Sequence, residues 1–321
     1  MNKVLVTGAT GFVGRHLCKL LASSEYQVVG TRRSSAKKNE STDYDLVSVG
    51  DIGDEVVWEP VLDGVDYVVH LAARVHVMRE TADDPLADFR RVNVAGTERL
   101  LRSCGRQGVK RFILISTTKV HGESTNEEPF AANSDTKPVD PYAQSKLEAE
   151  RTVEEIGRDT GFETTIIRPP LVYGPGVGGN FARLATMVRR GIPMPFGKIE
   201  NLRSLVFVQN LCDLILECLI NPGAVGERFL VSDNDDVSTP ELVRQLAAAM
   251  SRPARLLPIP VPALKSAAVL VGRSAEVSRL TESLQLDISH TMSRLDWTPP
   301  FSMQQGIEST VRWYEEQAID A

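Results

Sequence analysis

Two side chains one helical turn apart set the chemistry this sequence can do. Tyr142 and Lys146, in the run Tyr142-Ala143-Gln144-Ser145-Lys146, are spaced by four and share one face of a helix. A phenol with a reference pKa of about 10 is a poor proton shuttle at neutral pH unless a cation stabilises its anion. Lys146 supplies that cation; a surface tyrosine beside a solvated lysine has the same spacing. A third polar group ends the apolar run Phe112-Ile113-Leu114-Ile115-Ser116, which leads into Thr117 and Thr118. A hydroxyl just past the carboxyl end of a buried strand either closes a turn or hydrogen-bonds a ligand oxygen. Thr117, Tyr142 and Lys146 together would exchange a proton with a substrate hydroxyl or carbonyl.

Such groups need a scaffold that brings strand ends and a helix face together. Near the N-terminus, Val4-Leu5-Val6 runs into Thr7-Gly8-Ala9-Thr10-Gly11-Phe12-Val13-Gly14 and then an amphipathic segment, 12–21. That is strand, turn, helix. Gly8 permits the tight turn, Gly11 lets backbone approach a pyrophosphate at the positive helix end, and Gly14 lets helix and strand pack closely. The spacing is Gly-x-x-Gly-x-x-Gly, not the Gly-x-Gly-x-x-Gly of many dehydrogenases. Further strands are expected at 27–30, 46–49, 65–71, 112–116 and 164–167, and helices at 85–104 and 141–158. A short helix is expected to end at Leu62, and 34–45 reads as a polar loop. Strands alternating with helices at this interval predict an α/β fold, a Rossmann-type doubly wound parallel sheet.

From residue 169 the rhythm breaks, with prolines and glycines crowding 169–179 and 191–197. A strand at 205–208, a helix at 211–220 and a capping-box helix opening at Ser238-Thr239-Pro240-Glu241 follow. The apolar segment 261–272 reads as a buried helix or one lining a pocket. The division expected is a dinucleotide-binding domain, 1–168, and a smaller substrate lobe, 169–321, some of whose segments return to the sheet.

The chain has 321 residues, 42% hydrophobic and 24% charged, with a net charge of -6. That balance suits a globular core and argues against a nucleic-acid surface. No apolar stretch is long enough to span a bilayer. The four cysteines are scattered, which predicts reduced, buried thiols, no structural metal and a cytoplasmic location.

The glycine turn, strand-end threonine and Tyr-x-x-x-Lys, in this order, resemble the extended short-chain dehydrogenase/reductase family, in its nucleotide-sugar epimerase/dehydratase branch. The likeness covers nearly the whole chain. It implies that Gly8, Thr10, Gly11, Phe12, Val13 and Gly14 hold a nicotinamide dinucleotide, with Asp51 and Ile52 at its adenine. Leu71, Ala72 and Ala73 would pass its ribose and pyrophosphate, and Arg168 and Pro169, with Tyr142 and Lys146, would lie at the nicotinamide. Asn93, in Asn93-Val94-Ala95-Gly96-Thr97, is implied to be structural.

For substrate, the resemblance implies Thr117, Thr118, Tyr142, Asn180 and Arg203, with Arg279 a second phosphate ligand or a solvated helix residue. A guanidinium at Arg203 suits a diphosphate. Dehydratases of the family carry an acidic pair where this chain has Thr118 and Lys119, which argues against dehydration. Where NAD-binding sites place a carboxylate after the second strand, this chain has Thr31-Arg32-Arg33. Arginines there accommodate a 2′-phosphate or are surface charges, so NADP(H) is favoured and NAD(H) possible.

The expected activity is oxidoreduction at C4 of a UDP- or dTDP-linked hexose or N-acetylhexosamine. A 4-keto reductase in surface polysaccharide biosynthesis is the first reading, a UDP-sugar 4-epimerase the alternative, and a non-catalytic dinucleotide-binding regulator the second alternative. The family also implies a homodimer through the helices at 85–104 and 141–158, for which Leu147, Val153 and Ile156 offer apolar positions; burial against the chain's own sheet explains those three equally well.

Overall fold

Nine short strands carry the apolar runs of the sequence: β1 (Lys3–Thr7), β2 (Gln27–Arg32), β3 (Asp45–Ser48), β4 (Tyr67–His70), β5 (Arg111–Ile115), β6 (Glu163–Arg168), β7 (Leu171–Tyr173), β8 (Leu205–Phe207) and β9 (Arg228–Leu230). In the computed structural model, which describes residues 1–34, 43–53, 55–75, 84–126, 128–270 and 272–319, seven of them form one parallel sheet. Its order is β3-β2-β1-β4-β5-β6-β9, and β7 pairs with β8 separately. The chain therefore winds outward from β1 in one direction, then returns to β4 and winds the other way. Loops leaving β1 and β4 part at that switch point and open a crevice at the carboxyl edge of the sheet.

Helices cover both faces: α1 (Phe12–Ser23), α2 (Pro85–Arg90), α3 (Gly96–Gln107), α4 (Pro141–Thr160), α5 (Gly179–Arg189), α6 (Val208–Ile220), α7 (Thr239–Ala249), α8 (Val261–Leu270), α9 (Ser274–Thr281), α10 (Ser289–Leu295) and α11 (Met303–Ile319). Alternating strand residues divide the core. Val4, Val6, Ile113, Ile115 and Ile167 pack with Leu17 and Leu21 of α1 and Leu211 of α6. Leu5, Phe112, Leu114 and Ile166 pack with Leu100 and Leu101 of α3 and Ala149, Val153 and Ile156 of α4. Each fully buried leucine or phenylalanine stabilises by roughly 1.5–3 kcal/mol. This packing fixes the strand ends and α4 relative to each other.

Several sequence expectations change. The helix expected at 85–104 is one helical run interrupted by a π-helical turn, Arg91–Ala95. The turn sits where Asn93 reaches out of the run and where Gly96 must come close: a Cβ on Gly96 would lie 2.6 Å from the Ile52 carbonyl oxygen. The short helix expected to end at Leu62 reduces to one turn, in which Val61 and Leu62 both donate to the Trp58 carbonyl; Pro60 and Gly64 leave no room to extend it. Most of the polar loop expected at 34–45 lies outside the described residues. Of segment 261–272, Val261–Leu270 forms a helix, α8, but it is not buried: of those ten residues Ala268 alone is fully covered, while Val269 and Leu270 are 68% and 87% exposed. Leu147, Val153 and Ile156 are buried in this chain's own interior, so they offer no apolar face to a second copy. Strand β9 was not expected from the sequence, being only three residues long. No helix among the described residues is long and apolar enough to cross a membrane.

Candidate active site

The glycine turn is a cradle with no room for side chains. Gly8 has φ +70, and a Cβ there would stand 3.0 Å from the Ala72 amide nitrogen. A Cβ on Gly14 would stand 2.2 Å from the Gly8 carbonyl oxygen. Gly11 caps α1 without any side chain bonding its first amides, so Phe12, Val13 and Gly14 begin a helix whose positive end is open to an anion. Ala9 N–H donates to Thr31 O at 3.2 Å, which sets the end of β2, and hence Arg32 and Arg33, beside this turn with Thr10. Arg32 Nε reaches Ser48 Oγ at 3.4 Å and Arg33 is exposed. Asp51 folds back onto the Gly53 amide (3.0 Å) and lies 3.8 Å from Arg91, with Ile52 buried beneath it. These residues fit the pyrophosphate and adenosine halves of a dinucleotide.

A relay of neutral hydrogen bonds fixes the loop carrying Leu71, Ala72 and Ala73. Thr97 Oγ1 gives its proton to the Asn93 carbonyl (2.7 Å) and so accepts from His70 Nε2 (3.0 Å). His70 Nδ1 is then left to accept from Thr7 Oγ1 (2.7 Å), which itself accepts from the Ala72 amide (3.1 Å). Burial, and then the charge of Lys146, lower the His70 pKa to about 3, so the ring is neutral. Asn93 continues the chain: its amide holds both backbone groups of Arg74 (2.8 and 3.0 Å) and donates to Ser145 Oγ (2.9 Å). Ser145 in turn donates to the Tyr142 carbonyl (2.8 Å). The π-helical turn thus ties the cofactor loop to α4, as such turns often do at functional sites.

Helix α4 starts sharply. Asp140 caps it through the Ala143 amide (2.7 Å), Pro141 occupies its first position, and Lys119 Nζ holds the Asp140 carboxylate at 2.5 Å. Tyr142 is half-buried one residue into the helix; burial and then Asp140 push its phenol up to about 12. Lys146, one turn on, is 2% exposed, and burial lowers it to about 8 against the opposing pull of Glu150. The proton therefore rests on the tyrosine, which makes Tyr142 an acid ready to protonate an oxyanion. At the end of β5, Thr117 Oγ1 accepts from the Lys119 amide (3.3 Å) and keeps its own proton to donate. Thr118 is buried, its amide on the Pro169 carbonyl (3.0 Å).

Arg168 corrects an expectation. Its guanidinium turns away from the crevice and is bound inside by Glu150 at 2.5, 3.0 and 3.2 Å. Both side chains are 1% exposed. Only the backbone at Pro169 borders the strand end.

Asn180, Arg203 and Arg279 gather elsewhere, around a cavity of about 310 Å³ lined by residues between 171 and 280 and walled by Phe181, Met187, Phe196, Leu205, Leu242 and Leu280. Arg203 donates to the Arg279 and Glu282 carbonyls (2.9 and 3.1 Å), and burial lowers its pKa. Arg279 lies 4.0 Å from Glu123, which also binds Lys119 (2.9 Å). An ion-pair chain thus runs from the cap of α4 to the cavity. Glu123, Asp140 and Glu150 were not found by sequence reasoning, although Asp140-Pro141 is a capping signature and Glu150 continues the spacing of Tyr142 and Lys146. The four cysteines are buried and unpaired, and no cluster among the described residues could hold a metal ion.

The description "NAD dependent epimerase/dehydratase family" matches residues 4–232. A curated UDP-glucose 4-epimerase from Vibrio cholerae is 46% identical over 97% of this chain and 95% of its own length. Among solved structures, UDP-glucose 4-epimerase from Thermotoga maritima with UDP-glucose superposes with a TM-score of 0.80 at 24% identity, covering 98% of this chain and 99% of that one. UDP-glucuronic acid 4-epimerase from Bacillus cereus in complex with NAD gives 0.78 at 22% identity, covering 98% and 96%. With the doubly wound sheet, the open glycine cradle and the Tyr142–Lys146 helix in place, this enzyme chain belongs to the NAD dependent epimerase/dehydratase family.

Proposed function

We propose that the protein is a UDP-hexose 4-epimerase, in which Thr117, Tyr142 and Lys146 handle the C4 oxygen while the lobe cavity holds the nucleotide. The observation that carries this reading over the 4-keto reductase first expected is the 46% identity to a UDP-glucose 4-epimerase across nearly both chains. Dehydration is disfavoured because Thr118 is buried and Lys119 is bound between Glu123 and Asp140, leaving no acidic pair there.

The uridine end would sit against the apolar wall of the cavity, and Arg203 and Arg279 would take the diphosphate. The hexose then extends toward the strand ends. Thr117 donates a hydrogen bond to the C4 oxygen, and the protonated Tyr142 phenol gives that oxygen its proton as C4 is reduced; the oxidising half-reaction needs the phenolate, to which the C4 hydroxyl returns the proton. Lys146 keeps positive charge beside the phenol. A nicotinamide dinucleotide, its pyrophosphate held by the glycine cradle, would supply the hydride acceptor and donor for C4. Anchoring at the diphosphate leaves the sugar free to turn between the two half-reactions, so that its other face is reduced.

The reductase remains a second reading because β2 ends in Arg32 and Arg33, and a 2′-phosphate there would link the site to a consumed reductant. The test incubates the enzyme with UDP-glucose, UDP-N-acetylglucosamine and their 4-keto-6-deoxy derivatives. An epimerase equilibrates the C4 epimers, seen by NMR, without net change in cofactor absorbance. Stoichiometric NADPH oxidation with a 4-keto sugar, and no epimerisation, would replace this reading with the reductase.

A further inference from the structure

We propose that Glu150 is a positioning residue for this reaction: held by Arg168 one turn beyond Lys146 on α4, its carboxylate is the anion that keeps the Lys146 ammonium charged at working pH. The inference rests on the reading of Tyr142 and Lys146 as the proton-exchanging pair.

Glu150 follows Lys146 by one turn and Tyr142 by two, so all three lie along one stripe of α4. Both of its oxygens are taken by Arg168. Arg168 sits at the end of β6, beside the end of β5 that carries Thr117: Ser116 N–H donates to Ile167 O (2.7 Å) and Thr118 N–H to Pro169 O (3.0 Å). The remaining guanidinium nitrogen donates to His121 Nε2 (2.9 Å) and the Ala132 carbonyl (3.3 Å). His121 accepts there and so keeps its proton on Nδ1, against the Asp135 carbonyl (3.2 Å); burial and then Arg168 lower its pKa, so it stays neutral. One buried pair thus bolts the helix of Tyr142 and Lys146 to the strand end of Thr117.

A purely structural bolt is a poor explanation for two fully buried charges. Taking them out of water costs more than their attraction commonly returns, and apolar residues of similar volume often serve at least as well. What an apolar pair cannot supply is a negative charge near Lys146. Tyr142 and Glu150 lie one turn to either side of Lys146 on α4, and His70 of β4 feels the charge of that ammonium. His70 is neutral, so Glu150 is the anion that opposes the loss of the Lys146 proton.

The experiment follows the Lys146 ammonium by NMR of lysine-labelled enzyme, assigned with Lys146→Arg, alongside the pH profile of kcat. In Glu150→Gln the titration midpoint is expected to fall by about one to three pH units, the usual effect of a neighbouring opposite charge. The alkaline limb of kcat should move with it, while KM stays within a few-fold. Glu150→Asp should restore the midpoint. If Glu150→Gln does not fold, the double variant Glu150→Gln/Arg168→Gln, which leaves no uncompensated charge, carries the test, and its midpoint should also lie below wild type. A midpoint and alkaline limb unmoved in whichever variant folds, with only thermal stability reduced, would make the pair a brace and overturn the proposal. Because the lysine titration needs no substrate, it stands or falls separately from turnover of UDP-sugars.

Discussion

The carboxyl edge of the sheet and the cavity around Arg203, the two halves of the proposed site, are assembled differently. At the edge, each chemical group lies at a fixed short offset from another: Gly8, Gly11 and Gly14 along one turn, Tyr142, Lys146 and Glu150 along one helix. Charge there is compensated, with neutral His70 and His121, the closed Arg168–Glu150 pair, and Lys119 bound between Asp140 and Glu123. In the cavity, Asn180, Arg203 and Arg279 come from three separate segments, and the two arginines that meet are 76 residues apart in sequence. Charge there is unbalanced toward cations. On the proposed reading the edge handles one proton and one hydride, which local, rigid geometry suits. The cavity on that reading selects a ligand, for which it draws on the segments that surround it.

The largest effect should come from the edge. Tyr142→Phe removes the transferable proton and little else, since the hydroxyl leaves α4 and its Asp140 cap untouched. Turnover should fall by about two to four orders of magnitude, with cofactor affinity unchanged. Rates near wild type on the true substrate would remove Tyr142 from the chemistry and dissolve the contrast between the two regions.

Next comes the pH response of the edge's neutral relay. The His70 pKa is about 3 in the folded chain against about 6.5 unfolded. The unfolded chain therefore binds a proton between those values that the folded chain does not. Stability should be flat above pH 6.5 and fall as pH drops through that window, by about 1.4 kcal/mol per pH unit from this group. Urea unfolding at pH 7, 6, 5 and 4 reads the slope, and His70→Asn should lower it by one proton. Equal slopes in both proteins would mean that the ring is already protonated in the folded state.

The same contrast explains what could be read from the sequence. Strands β1, β4 and β5 each carry a continuous apolar run, because both faces of a central parallel strand are buried. The glycine turn and the Tyr-Lys pair are visible because helix and turn geometry translate spacing directly into proximity. Arg168 was misplaced because its neighbour in sequence, Pro169, borders the site while the guanidinium follows strand alternation into the interior. Glu150 was passed over because its partner is 18 residues away, on strand β6 beneath the helix, where spacing along α4 cannot reveal it. The exposure of α8 was not legible either, since an apolar composition does not state what, if anything, packs against it.

Smaller effects are expected in the cavity. Arg203→Ala should raise KM for a UDP-sugar by about ten- to a hundredfold, the worth of a charge-assisted hydrogen bond of roughly 1.5–3 kcal/mol. The kcat should change only a few-fold, because the arginine holds the part of the substrate that does not react. A fall in kcat with KM unmoved would place Arg203 with the edge residues instead.

The smallest effect tests whether the edge discriminates between cofactors at all. Arg32 and Arg33 follow β2 beside the glycine turn, where a 2′-phosphate would lie and where no carboxylate stands. A buried guanidinium–phosphate contact would favour NADPH over NADH strongly. Arg33 is exposed, however, and Arg32 already reaches Ser48 Oγ at 3.4 Å, so solvent screening should hold the gain to about 1 kcal/mol or less, a preference of a few-fold. Dissociation constants for both cofactors on wild type, Arg32→Ala and Arg33→Ala measure it. Loss of the NADPH preference in one variant, with NADH affinity unchanged, would make that arginine a phosphate ligand and strengthen the reductase reading. Tighter NADH binding in the wild type, with NADPH affinity intact in both variants, would make the two arginines surface charges. An epimerase regenerates its cofactor in every cycle and has no use for the NADPH pool, so that result would leave it the better account of the edge.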